Sequence, residues 1–196
     1  MISLDLFLKK SGVVVTEGHI GDCPEYCMFL SNIINNSNFI VNAMEIGMNA
    51  GHSTNALLSG NWQLNLVSFD LGSHDYVLTA KRYIDLYYPG RHTLIIGNSM
   101  STVQIYANTT DKKFDLIFID GGHDGNTCYA DLINCKRLAH KNTVLILDDY
   151  IIDSKERHVQ GPLNSWNELV SINFIKQDGV QRFREDKGFV HGHYVF

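Results

Sequence analysis

Apolar runs of strand length recur along the chain, with helix-like segments between them. Such alternation marks βαβ units around a largely parallel sheet. Residues 24–35 (PEYCMFLSNIIN) predict a helix, with Asp22 or Cys23 near its cap and Pro24 suited to its first turn. A strand over 41–46, a glycine-bearing turn and a helix over 51–58 follow. A second strand at 66–70 leads into a helix rich in Tyr and Leu that must stop before Pro89, because proline disfavours helix in the residue ahead of it. Next come a third strand at 93–96, a short helix at 99–107, and the nearly all-apolar run FDLIFI at 114–119, the composition of a strand buried on both faces. A helix over 127–138 precedes a fifth strand at 143–147. Beyond Asp149 the pattern loosens into a connection containing Gly161-Pro162, a helix over 164–170, and two strands at 172–175 and 189–196 that predict an antiparallel edge pair. No linker composition interrupts the chain, so it reads as one domain over 1–196, an arm at 1–23 and a core at 24–196. The fold class expected is α/β, a doubly wound sheet with helices on both faces.

Composition narrows the function. With 196 residues, 44% of them hydrophobic and 19% charged, the chain can build one substantial core. A net charge of −5 without a basic stripe argues against a nucleic-acid partner. No apolar stretch approaches a membrane span, and the charges of MISLDLFLKKSG follow its apolar residues, which is not a secretory pattern. Cys23, Cys27, Cys128 and Cys135 form neither a CxxC pair nor a dense disulfide framework. They are expected as buried, reduced thiols of a cytoplasmic protein.

Three constellations carry candidate chemistry. The first is Glu45-Ile46-Gly47-Met48-Asn49-Ala50-Gly51-His52-Ser53, at the junction of the first strand and its helix. In a doubly wound sheet this junction lies at the carboxyl ends of the strands, where ligands bind. Gly47 lets the chain turn away, Gly51 permits close approach of a ligand or helix, and Ser53 can satisfy donors of the helix start. The second is Asp70 at the end of the second strand, placed to accept hydrogen bonds from a ribose, with Asn98 and Ser99 next along the rim as helix cap or adenine contacts. The third pairs two strand ends, Asp120-Gly121-Gly122-His123 and Asp148-Asp149-Tyr150. If these strands are adjacent, Asp120, Asp148 and Asp149 repel one another unless a hard divalent cation, Mg²⁺ or Mn²⁺, joins them; alternatively one aspartate contacts a cofactor and the pair caps a loop. His123 stands where a general base could work or where a surface histidine would sit. Tyr150 and Trp166 are candidates for a substrate wall or, more simply, for the core.

With these motifs in order, the chain resembles the class I S-adenosylmethionine (SAM)-dependent methyltransferases, in particular metal-dependent small-molecule O-methyltransferases such as the catechol and the macrolide or aminocoumarin sugar enzymes. The resemblance runs from Pro24 through the last strand, on EIGxxxGxS, the strand-two acid, FDLIFIDGGH and VLILDDY. It implies a Rossmann-like sheet of seven strands in the order 3-2-1-4-5-7-6, the last antiparallel. It also implies SAM across the first three strand ends, with Glu45, Gly47, Gly51 and Ser53 bordering the methionine and Asp70 the ribose. Asp120, Asp148 and Asp149 fall on the metal-ligand positions. Catechol-type enzymes have Asn at the third of these and a lysine base where this chain has His123, so the base stays open. A small hydroxylated acceptor, sugar or phenol, and a homodimer are family-level expectations.

Three rivals remain. An NAD-dependent oxidoreductase needs G-x-G-x-x-G, whereas Gly47 and Gly51 are four apart with no GxG. A base-modifying methyltransferase is expected to carry an Asp-Pro-Pro-type loop where this chain has Asp-Gly-Gly-His. A SAM-binding scaffold without turnover would keep the pocket, since fold does not fix function.

Overall fold

The computed structural model describes residues 2–196. The apolar runs become the centre of one sheet in the order β3-β2-β1-β4-β5-β7-β6. It comprises β1 (Asn42–Ile46), β2 (Asn65–Asp70), β3 (His92–Ile96), β4 (Phe114–Ile119), β5 (Ala139–Asp148), β6 (Ile175–Arg182) and β7 (Gly188–Tyr194). The first five are parallel, and β7 runs antiparallel to both β5 and β6. This is the Rossmann-like arrangement and strand order that the motifs imply.

Successive strand residues point to opposite faces, and the helices divide accordingly. Leu116, Phe118 and Ile146 pack with α1 (Leu4–Lys10), α2 (Pro24–Asn35), α3 (His52–Gly60) and α4 (Asp75–Tyr87). Ile117, Ile119, Leu145 and Leu147 pack with α5 (Ser99–Thr109), α6 (Gly125–Cys135) and α7 (Arg157–Ser171). Tyr150 and Trp166 belong to this second core, with Trp166 fully buried and its indole donating to Gln177 Oε1 at 2.9 Å.

Three segments differ most from the pattern's prediction. The arm contains α1, capped by Ser3, with Asp5 in its first turn and Lys9 and Lys10 in its last, charges that suit the helix dipole. The helix expected at 164–170 begins at Arg157 and takes in Gly161-Pro162. Pro162 forfeits the bond to the His158 carbonyl near the helix start, while Val159, Pro162, Trp166 and Leu169 make a continuous buried face. The strand expected at 172–175 starts where that expectation ends: α7 runs to Ser171, Asn173 turns the chain with a left-handed φ of 58°, and β6 is a polar edge strand with a register shift between Gln177 and Gly179.

Gly47 is the backbone pivot of the site. Its φ is +90°, and a Cβ there would collide with the carbonyl oxygen of Asp120. Gly47→Ala is expected to destabilise the protein by about 2–4 kcal/mol, from the left-handed backbone plus the overlap. The check is the urea midpoint; an unchanged midpoint would show that the β1 and β4 ends are free to separate.

Candidate active site

At the carboxyl ends of β1 to β5 lies a cavity of about 730 Å³, within the range of small-molecule and cofactor sites. Of the residues singled out from sequence, Gly47, Asp70, Asn98, Ser99, Asp120, His123, Asp148 and Asp149 line it.

Glu45, Gly51 and Ser53 are placed behind that wall instead of on it. Met44 and Ile46 face α5–α7, so Glu45 between them points the other way, fully buried beneath the start of α3. There it accepts hydrogen bonds from Ser53 Oγ, from Thr54 Oγ1 at 2.6 Å and from Ser68 Oγ at 2.6 Å. Burial raises its pKa, and these hydroxyls oppose the rise. Ser53 is thus spent on Glu45 and borders only a crevice of about 10 Å³. Gly51, with φ +82°, lets α4 approach: an added Cβ would lie 3.1 Å from the Ala80 methyl. The motif fastens β1, β2 and α3 together and positions the rim from behind.

On the rim, Asp70 accepts from the backbone N–H of Asn49 at 2.8 Å and of Gly72 at 2.7 Å. Each oxygen is oriented by one bond and keeps a lone pair for a diol. Gly97 N–H donates to the Asp70 carbonyl at 2.8 Å, which sets Asn98 and Ser99 beside it. Asn98 caps α5 by accepting from Met100 N–H at 2.9 Å. Ser99 Oγ donates to Asp131 Oδ2 at 3.1 Å.

The three aspartates expected to act together separate by strand parity. Asp148 lies on the same face of β5 as Ile146, toward α2, where the buried Tyr26 hydroxyl donates to its Oδ1 at 2.6 Å. Asp149 leaves the strand with a left-handed φ of 54°, a conformation costly for a non-glycine residue and concentrated at functional sites. Its Oδ2 lies 2.7 Å from His123 Nε2. The ligand atoms that gather within 4.8 Å of one another are therefore those of Asp120, His123 and Asp149. A histidine thus joins a cluster that the sequence presents as purely carboxylate.

The electrostatics bear the strain of this crowding. Burial, then repulsion by Asp148 and Asp149, holds the Asp120 carboxyl well above its ordinary value. Burial and Asp149 push Asp148 up to about 7, against the Tyr26 hydrogen bond. The hydrogen bond from Asp149 raises the His123 pKa in spite of burial. Two carboxylates that repel each other, with an imidazole nitrogen beside them, are a donor set that fits a divalent cation.

Other residues of the site gave little sign of themselves in sequence. Glu17 to Ile20 of the arm line the cavity like a strap. The strap is fixed by Asn49 Nδ2 to the Gly18 carbonyl at 2.9 Å, by Glu17 to His74 at 3.0 Å, and by the stacking of His19 on His52 at 4.0 Å. Asp186 and Lys187 enter from the turn between β6 and β7, and His158 from the first turn of α7. Gly161 brings α7 against the His123 loop, since a Cβ there would meet the His123 carbonyl. A glycine in the apolar spacing of α7 was the one available signal.

Comparison with known proteins agrees with this architecture. A family described as a methyltransferase domain matches residues 44–150, more than half of the chain. An O-methyltransferase from Bacillus cereus solved with SAH (S-adenosylhomocysteine) superposes with a TM-score of 0.78 at 20% identity, covering 98% of this chain and 90% of that one. The O-methyltransferase TomG from Streptomyces achromogenes, solved with SAM, gives 0.69 at 14% identity, covering 98% and 96%. A SAH-bound methyltransferase from Podospora anserina gives 0.68 at 17%, covering 87% and 77%. At these identities the likeness establishes the fold. No curated protein matches the sequence.

Asp131, fully buried on α6, offers a clean test of the electrostatics. Burial raises its carboxyl to about 7, Asp124 adds to the rise and the Ser99 hydrogen bond opposes it. Folding therefore favours the neutral acid, and the stability so gained is full below pH 3.8 and lost as pH rises through about 7. The melting temperature of Asp131→Asn minus that of the wild type is expected to increase from pH 5 to pH 8; a constant difference would contradict the raised pKa.

Proposed function

We propose that this chain, which belongs to the methyltransferase-domain family, binds S-adenosylmethionine across the ends of β1, β2 and β3 and methylates an oxygen of a small polyhydroxylated acceptor. The observation that carries this reading is one continuous cavity of about 730 Å³ holding both the ribose-type acceptor Asp70 and the Asp120, His123 and Asp149 cluster.

SAM supplies a methyl already activated on a sulfonium, so the protein's task is to orient, exclude water and move one proton. Asp70 holds the ribose, the Gly47 turn and Asn49 shape the wall beside it, and the Glu17–Ile20 strap shields the cavity from solvent. Asp120 and Asp149 would hold a divalent cation, which would lower the pKa of an acceptor hydroxyl. His123, oriented by Asp149 at 2.7 Å, takes the hydroxyl proton as general base. Its nearness to both carboxylates also supports a second role as third ligand. That imidazole shifts the cation preference from Mg²⁺ toward Mn²⁺.

The acceptor's character follows from the lining. Glu17, His19, His74, His158, Asp186 and Lys187 surround the cavity, and Phe69 is its one phenyl side chain among the described residues. Such walls hydrogen-bond a sugar-like polyol better than they stack a phenol.

The test is calorimetric titration of Mn²⁺ and Mg²⁺ into protein saturated with SAH, followed by labelled-methyl transfer to polyol and phenol panels. Asp149→Asn is expected to weaken cation binding at least about 10-fold and to cut turnover at least about 100-fold, with SAH affinity held within about threefold. His123→Asn should abolish the acid limb of the pH–rate profile, the rise in turnover as the imidazole loses its proton; cation affinity is retained if it is a base alone and falls if it is also a ligand. Absence of heat with either cation would overturn the metal role, and transfer confined to phenols would overturn the acceptor class.

A further inference from the structure

Asp131 has no part in the chemistry just described, yet it is a fully buried acid set directly behind the cavity wall. Its Oδ2 accepts the Ser99 hydroxyl at 3.1 Å, and its Oδ1 is buried with no partner among the described residues. Leaving such an oxygen unsatisfied is costly, and an apolar side chain in its place would avoid the cost. What the acid achieves is visible at Ser99. That residue lines the cavity next to Asp70, since Gly97 N–H bonds the Asp70 carbonyl at 2.8 Å. A base attached to a ribose held by Asp70 therefore lies within reach of Ser99. A hydroxyl has one hydrogen and two lone pairs. With its hydrogen committed to Asp131, Ser99 offers the cavity lone pairs only.

Resting on the SAM reading of this cavity, we infer that Asp131 is a positioning residue that fixes the polarity of Ser99, so that the base corner accepts a hydrogen bond from an exocyclic amine and selects an adenine nucleoside over its 6-oxo counterpart. The 6-oxo base presents a carbonyl where adenine presents an amine. Acceptor then faces acceptor, and neither group is satisfied. An asparagine at 131 lifts the constraint: its amide can donate to Ser99 as well as accept from it, so the hydroxyl is no longer held to donate away from the cavity.

The experiment measures dissociation constants for SAH and for its deaminated analogue S-inosylhomocysteine at pH 8.5. There the Asp131 carboxyl, raised by burial to about 7, is ionised and acts only as an acceptor. The wild type is expected to prefer SAH by roughly 10- to 100-fold. Asp131→Asn should bring the preference within about threefold, largely through tighter binding of the inosyl compound. Ser99→Ala should erase the preference in the same way, and Asp131→Asn should add nothing in that background. A loss of affinity that is equal for both nucleosides in Asp131→Asn would reduce Asp131 to a structural role and overturn the inference, as would a wild type that does not discriminate. If Asp131→Asn does not fold, the Ser99→Ala ratio decides alone. A wild type that binds SAH with the wrong preference sinks only this inference, whereas a wild type that binds neither nucleoside sinks the SAM reading with it.

Discussion

Mutual repulsion among four acidic side chains at the carboxyl ends of β1, β4 and β5 is the constraint around which this structure is arranged. Glu45, Asp148 and Asp149 each raise the proton affinity of Asp120, and Asp149 raises that of Asp148 as well. Burial multiplies the effect, because charges in low dielectric interact far more strongly than in water. The fold answers each acid differently. Glu45 is wrapped by three hydroxyls, Asp148 is met by the Tyr26 phenol, and Asp149 is set against His123. Asp120 faces the cavity, with the Lys187 ammonium easing it and Asp148 alike. A divalent cation beside a sulfonium cofactor, as proposed, would supply the positive charge that this cluster of acids lacks.

The surrounding elements make the arrangement rigid. Gly47 lets the β1 end touch the β4 end, and Gly161 lets α7 touch the His123 loop. Ser165 Oγ donates to the Gly125 carbonyl at 3.1 Å, where that loop enters α6. The strap from the amino-terminal arm is held by His52 of α3 and by His74, the residue that precedes α4. The cavity wall is thus fixed by close backbone approaches at Gly47 and Gly161 together with side-chain ties to the strap.

What the sequence made legible was the frame. The apolar runs and the breaks at Gly47 and Pro89 are local signals, and β1 to β4 and α2 lie within a residue or so of where they predict. The site was only partly legible, for reasons of parity and register. A strand assignment does not say which face a residue near the strand's end takes, so Glu45 looked like a cofactor contact and is an internal tie. Asp148 and Asp149 are neighbours in sequence and diverge in space, because alternation sends one to Tyr26 and a left-handed turn sends the other to His123. The Gly161-Pro162 pair carries turn chemistry locally, and only the buried face of α7 overrides it. Asp131 belongs to none of the motifs, and only the packing shows it as a fully buried acid.

Calorimetric titration of SAH into the purified protein and into Asp70→Ala tests the central claim most directly. The account predicts micromolar binding to the wild type and at least about a 10-fold loss in the variant, the consequence of removing a charged acceptor from a ribose diol. Absence of SAH binding to the folded wild type, or binding indifferent to Asp70, would contradict it.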